Sequence, residues 1–383
     1  MRKLRFCGSR NGFLASACRS PREQYAHFQK NPVADAAGFF MTIKERKMYM
    51  KKMITILLML ASLTGLLAGC GSTVVESAAP ADSTSTEAAV KTEPETPAGE
   101  EDENYDTGDA GLDDPRNGDD IGETELLVVS FGTSFNDSRR LTIGAIEGAL
   151  EEAFPEYSVR RGFTSQIIID HVQSRDGEVI DNVKEALDRA VNNGVKTLIV
   201  QPTHLMNGFE YNDLVDELAQ YSDAFGQIVI GEPLLSSDED FRIVAKAIVD
   251  ATAEYDDGKT AIVFMGHGTE ADANGVYARM QSVLEDMGAV HYYIGTVEAT
   301  PSLDDVVKLV QSGNYERVVL EPLMVVAGDH ANNDMAGDEE GSWKSVFTAA
   351  GYQTEVILRG LGELEDIQDL YVAHARSAVD TLK

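Results

Sequence analysis

His267, Glu298 and His330 lie 31 and 32 residues apart, too far for any single helix or turn to join them. Brought together by a fold, two imidazoles and a carboxylate would hold a borderline divalent ion and leave coordination positions open. That suits a site that hands a metal on, or one that activates a metal-bound water, better than a purely structural site. Each residue alone has a plainer reading. His267, in Met265-Gly266-His267-Gly268-Thr269, could be a packed or capping side chain, although its flanking glycines permit unusual dihedrals and close approach of a ligand. Glu298 could merely charge the start of a following helix. His330 opens a long polar loop, Gly328-Asp329-His330-Ala331-Asn332-Asn333-Asp334-Met335, of the kind that is usually functional in a compact fold. Cys7, Cys18 and Cys70 all lie upstream of this region, so no disulfide framework or thiolate site is available to it. Any metal falls to imidazole and carboxylate.

The elements that must position these residues repeat. Short apolar or β-branched runs at 126–130, 159–163, 197–201 and 227–231 are separated by amphipathic stretches such as 141–154 and 179–192, which predicts a parallel sheet with crossover helices. The pattern recurs with strands near 260–265, 290–295, 317–321 and 355–358, helices near 275–287 and 303–311, and a closing helix at 367–382. Phe131-Gly132-Thr133 answers His267-Gly268-Thr269, and Gly162-Phe163-Thr164-Ser165 answers Gly295-Thr296-Val297-Glu298. Gln201-Pro202 through Gly208 answers Glu321-Pro322 through Gly328. Phe131, Ser165 and Glu210 therefore stand opposite His267, Glu298 and His330. All three metal candidates follow strand ends, where ligands of open parallel sheets bind, and only the second half carries them.

Composition bounds the rest. The formal net charge of -32 divides into about +9 over residues 1–70, -14 over 71–123 and -27 over 124–383. A field of that sign repels nucleic acid, so no nucleic-acid partner is expected. Lys51-Lys52, an apolar run of only about 17 residues and Leu67-Ala68-Gly69-Cys70 have the layout of a secretory signal. Residues 48–70 are accordingly expected to be removed or processed on export. With Met48, Met50 and Met53 each able to start translation, residues 1–47 read as an extension upstream of the true start. Residues 71–123, rich in Ser, Thr, Ala, Pro, Gly and acid, are expected to form a disordered acidic tether. Two lobes, 124–255 and 256–383, follow.

Phe264-Met265-Gly266-His267-Gly268-Thr269, Gly295-Thr296-Val297-Glu298 and the run from Pro322 through Glu339 with its Gly-Asp-His-Ala loop resemble the anaerobic sirohydrochlorin cobaltochelatases of the CbiK type, in the class II chelatase family. So do Ser130-Phe131-Gly132-Thr133-Ser134 and Pro233-Leu234-Leu235-Ser236-Ser237, and the likeness runs from about residue 124 to the end. The resemblance implies the α/β chelatase fold, two Rossmann-like lobes facing a cleft. It implies an enzyme that inserts Co²⁺, with no organic cofactor, into a tetrapyrrole, sirohydrochlorin. His267, Glu298 and His330 match the cobalt-coordinating positions and Glu210 matches a cleft carboxylate. The Leu-Ala-Gly-Cys ending resembles the bacterial lipoprotein signal, implying lipid on Cys70 and an extracytoplasmic, membrane-anchored protein.

Insertion requires loss of two pyrrole protons, for which His267 and Glu210 are the expected acceptors. The macrocycle's carboxylates need cations, for which Arg139 and Arg140, with Arg160 and Arg161, are candidates, together with the anion-binding ends near Ser130 and Thr133. Imidazole and carboxylate do not single out cobalt, so Ni²⁺ or Fe²⁺ insertion stays open. A non-catalytic tetrapyrrole or metal carrier stays open too, as does homo-oligomerisation. His204 reads as a packed histidine at a strand end.

Overall fold

The computed structural model describes residues 107–119 and 122–382. Residues 1–47, expected as an upstream extension, residues 48–70 with Cys70, expected as an export signal, and the expected tether up to residue 106 lie outside the described residues. Strands β1 (Thr124–Ser130), β2 (Ser158–Phe163), β3 (Thr197–Pro202) and β4 (Gln227–Ile230) form a parallel sheet in the order β2-β1-β3-β4. Strands β5 (Thr260–Gly266), β6 (Tyr292–Thr296), β7 (Arg317–Pro322) and β8 (Gln353–Val356) form a second in the order β6-β5-β7-β8. Within the central strands, residues 126–129 of β1 and 261–265 of β5 are unbroken apolar runs because helices cover both faces.

The first lobe supplies helices α1 (Asn136–Leu141), α2 (Ile143–Ala153), α3 (Gln166–Asp176), α4 (Val183–Asn192), α5 (Phe209–Gln220) and α6 (Asp238–Ala251). The second supplies α7 (Gly275–Asp286), α8 (Leu303–Ser312), α9 (Trp343–Ala349) and α10 (Glu365–Val379). Reciprocal caps set several starts: Asn182 with Glu185 at α4, Ser237 with Asp240 at α6 and Ser302 with Asp305 at α8. The stretch 141–154, expected as one helix, breaks at Thr142, whose hydroxyl donates back to the Ser138 carbonyl at 2.5 Å and ends α1.

The duplication is legible in individual hydrogen bonds. Thr164 N to Ser130 O and Ser165 N to Phe131 O in the first lobe match Val297 N to Gly266 O and Glu298 N to His267 O in the second. Thr203 N to Val129 O matches Leu323 N to Met265 O, and Leu234 N to His204 O matches Leu361 N to Met324 O. The Asn212 side chain donates to Gly208 O at 2.7 Å and Asn332 to Gly328 O at 2.8 Å. Glu210 and His330 are thus equivalent positions.

One apolar cluster spans both lobes, joining Leu126, Val128 and Ile146 to Ile262, Phe264, Tyr277 and Leu370. The last helix of each half crosses over: α10 packs on α2, β3 and β4, and α6 packs on α7. The Tyr371 hydroxyl on α10 donates to Thr203 O at 2.8 Å.

The tether expectation does not hold for residues 107–119, which are docked on the first lobe. Asp113 pairs with Arg139 at 2.7 Å and Arg161 at 2.6 Å, and Arg116 reaches Glu147 at 3.2 Å. Two guanidiniums buried in the lobe need counter-charges, and the strap supplies one of them.

Candidate metal centre

Three strand ends bring the trio together. His267 follows β5, Glu298 lies two residues past β6, and His330 sits beyond β7. One ligand atom from each lies within 4.8 Å of the others. The two imidazoles meet edge to face with centroids 4.6 Å apart, and His267 Nδ1 is 3.7 Å from Glu298 Oε2. The side chains are partly exposed, so an ion could be received from solvent and passed to a ligand in the cleft.

The local sequence explains the placement. A Cβ on Gly266 would come within 2.1 Å of the Tyr277 ring, and Gly268, at φ +92, would bring one within 2.8 Å of Ala299 N. The glycines flanking His267 therefore admit close protein packing, and Gly268 takes the unusual dihedral the sequence suggested. The Tyr277 hydroxyl accepts from Gly268 N at 3.1 Å. His267 Nδ1 lies 2.7 Å from Gly268 O, so it carries the proton and leaves Nε2 as the lone-pair nitrogen. Glu298 does not begin a helix: α8 starts at Leu303 under its own Ser302 cap, and the intervening loop leaves the carboxylate free for the cleft.

His330 precedes a single π-helical turn, Ala331–Met335, whose Ala331 and Met335 are fully buried in the second-lobe core. Ala327 N donates to Ser138 Oγ of the first lobe at 3.0 Å, bracing this loop against the first lobe.

The remaining sequence candidates fall elsewhere. Glu210, exposed at the start of α5, lines a cavity of about 400 Å³ with Phe131, Thr164, Lys184 and Asp213, on the first lobe. Arg139 is fully buried and spent on Asp113 and on Glu178, 2.7 Å from each, so it offers nothing to a substrate. Arg161 is likewise buried between Asp113 and Glu147. Burial alone would raise Asp113, but the hydrogen bonds and charges of Arg161 and Arg139 hold it below the usual carboxylate range. Arg140 is half-buried, 3.1 Å from Asp137, and Arg160 is half-buried near the Glu125 carboxyl. Ser130 and Thr133 are buried as well. Ser130 accepts from the Thr203 hydroxyl at 2.7 Å and Thr133 from Phe135 N at 3.2 Å, so their hydroxyls serve the fold. His204 is packed as expected, with both ring nitrogens buried and unpartnered, and burial pushes its pKa down to about 4. Lys184 on the cavity rim was missed; its only sequence signal is a cation in the first turn of an amphipathic helix.

Paired α/β lobes with a divalent-ion trio at the strand ends of one of them describe a metal chelatase. The model of the cobalt chelatase (CbiK) family matches residues 124–380. The sirohydrochlorin cobaltochelatase of Salmonella typhimurium is 37% identical over 258 residues, 67% of this chain and 96% of that protein. Sirohydrochlorin cobaltochelatase CbiKC of Nitratidesulfovibrio vulgaris is 32% identical over 259 residues, 67% of this chain and 91% of that protein. A solved structure described as SirB from Bacillus subtilis with Fe3+ aligns at a TM-score of 0.49 and 14% identity, over 67% of this chain and 95% of that one. The chain belongs to the CbiK cobalt chelatase family.

Proposed function

We propose that this chelatase inserts Co²⁺ into sirohydrochlorin. The observation that carries the reading is the convergence of His267, Glu298 and His330 within 4.8 Å, in the half of the duplication whose partner has no such set. The names of the two relatives support the substrate. The trio holds the ion while the macrocycle lies in the cleft; as the metal passes to the pyrrole nitrogens, two N–H protons leave. Nε2 of His267, released by the ion, accepts one, and Glu210 across the cleft accepts the other. With Arg139 and Arg161 internal, the partly exposed Arg140 and Arg160 and the exposed Lys184 are the candidates to meet the macrocycle's carboxylates, Arg140 and Lys184 by exchanging their surface partners Asp137 and Asp188. The segment Lys51-Lys52 to Cys70 supports export and a lipid anchor on Cys70, with the enzyme outside the cytoplasm.

The full chain, purified in detergent and given sirohydrochlorin with Co²⁺, Ni²⁺ or Fe²⁺, is expected to form the cobalt product over many turnovers, read by visible absorption. Product that stops at one equivalent would make it a carrier. Faster turnover with Ni²⁺ or Fe²⁺ would reassign the metal. Fatty-acid labelling that survives Cys70→Ser would refute the anchor.

A further inference from the structure

We propose that Asp334 is the positioning residue of the metal centre, holding His330 through its Nδ1 so that Nε2 faces the ion. The inference rests on His330 being a ligand. Asp334 Oδ2 lies 2.7 Å from His330 Nδ1. A carboxylate has no proton to give, so Nδ1 donates and the ring's lone pair is confined to Nε2. A carboxylate behind a ligating imidazole also raises its basicity and fixes its plane.

The pair is built into the backbone. His330 and Asp334 sit four residues apart on the outer face of the π turn, while Ala331 and Met335 anchor its inner face in the core. Asn332 clips the turn to Gly328 O, and Ala336 N closes it on Ala331 O at 3.1 Å. A Cβ on Gly337 would meet Asn333 O at 2.3 Å, so the chain can leave this wide turn only through a glycine.

The first lobe provides an internal control. The same asparagine clip occurs there at Asn212, and counting on from Glu210, the equivalent of His330, places the apolar, buried Leu214 opposite Asp334. The histidine and its carboxylate occur together in one half, and neither occurs in the other. The two ligand histidines are also supported unequally: His267 donates to a neutral carbonyl, His330 to an anion. His330 should therefore be the stronger donor to the ion, and His267 the one more readily released.

The test compares wild type, Asp334→Ala, Asp334→Asn and His330→Ala in the full chain, by Co²⁺ titration calorimetry and the d–d absorption of bound Co²⁺. Asp334→Ala is expected to weaken Co²⁺ binding about 10–100-fold and to shift the d–d bands, with the melting temperature kept. Asp334→Asn retains an acceptor oxygen and should fall between. An affinity of Asp334→Ala within about twofold of wild type, with unchanged bands, overturns the proposal; the scale is that of outer-shell losses. So does an Asp334→Asn loss as large as that of His330→Ala, which would place Asp334 on the ion itself. If His330→Ala binds Co²⁺ normally, the ligand assignment falls first; if only His330→Ala loses binding, the positioning role alone fails.

Discussion

The two lobes share strand order, register and even the asparagine clip at the third strand end, yet only one brings together a trio that could hold a metal. The first lobe carries Phe131, Ser165 and Glu210 where the second carries His267, Glu298 and His330. Side chains are not the whole difference. Ser165 caps α3 directly after β2, whereas Glu298 is separated from α8 by a loop that ends at its own serine cap. A backbone repeat can thus keep its hydrogen bonds while one loop is lengthened and one helical turn widened. Those two local changes accompany Glu298 and His330, two of the three members of the candidate trio. The first lobe invests its charge inside instead, in the Asp113, Arg139, Arg161 and Glu147 network.

The largest expected effect comes from writing the first lobe into the second. His267→Phe or His330→Glu should lower turnover more than about 100-fold, since direct ligands should matter more than outer-shell partners. The melting temperature should hold, because both side chains are partly exposed. Near-normal rates in either variant would mean that the asymmetry is not the catalytic difference.

Breaking the first lobe's own speciality should do the reverse. Arg161→Met leaves the buried Glu147 with only Arg116 beside it and should cost about 3 kcal/mol, a fall of about 10 °C in melting temperature, with Co²⁺ affinity unchanged. Arg139→Ala should behave alike. A raised KM for sirohydrochlorin with no loss of stability would instead restore the substrate role expected from the sequence.

Smaller effects separate the lobes by pH. Glu125, whose second-lobe counterpart is Ala261, is buried in β1, and burial pushes it up to about 8. The folded state therefore holds a proton that the unfolded state releases above about 4.5, so stability should fall as pH rises from there to about 8, by roughly 4–5 kcal/mol. Glu125→Ala should flatten that slope, read by denaturant melts across the range. His204, opposite Met324, works the other way. With its folded pKa near 4, the unfolded state binds the extra proton, and stability should be lost as pH falls from about 6.5 toward 4, by roughly 2–3 kcal/mol. His204→Met should abolish that acid limb. Unchanged slopes in both variants would show that these two asymmetries carry no energetic weight.

Much of this was legible in the sequence because continuous β-branched runs and repeated Gly-Thr and Pro signals report local structure. The eight strands fall within a few residues of their expected places, and the trio emerged from comparing one half with the other. What was not legible depended on distant partners. Arg139 looks like any cation near a helix end until Asp113 and Glu178 close on it, and nothing around 107–119, short of apolar residues, announces that its acids have buried partners waiting. Helix α3 hides because its apolar residues do not gather on one face. The π turn hides because one extra residue in a turn leaves no periodic trace.

The crossing of α6 and α10 gives the molecule a kind of indivisibility. Each half lends its last helix to the other, as in a two-fold dimer with swapped ends that has been joined into one chain. Residues 107–255 or 256–383 produced separately would each lack a wall of their core, so neither should melt cooperatively alone, whereas mixing the two should restore one shared transition. Through α10 and the hydrogen bond of Ala327 to Ser138 the first lobe, which has no such trio, is held against the second, so damage to either half should reach the candidate metal centre.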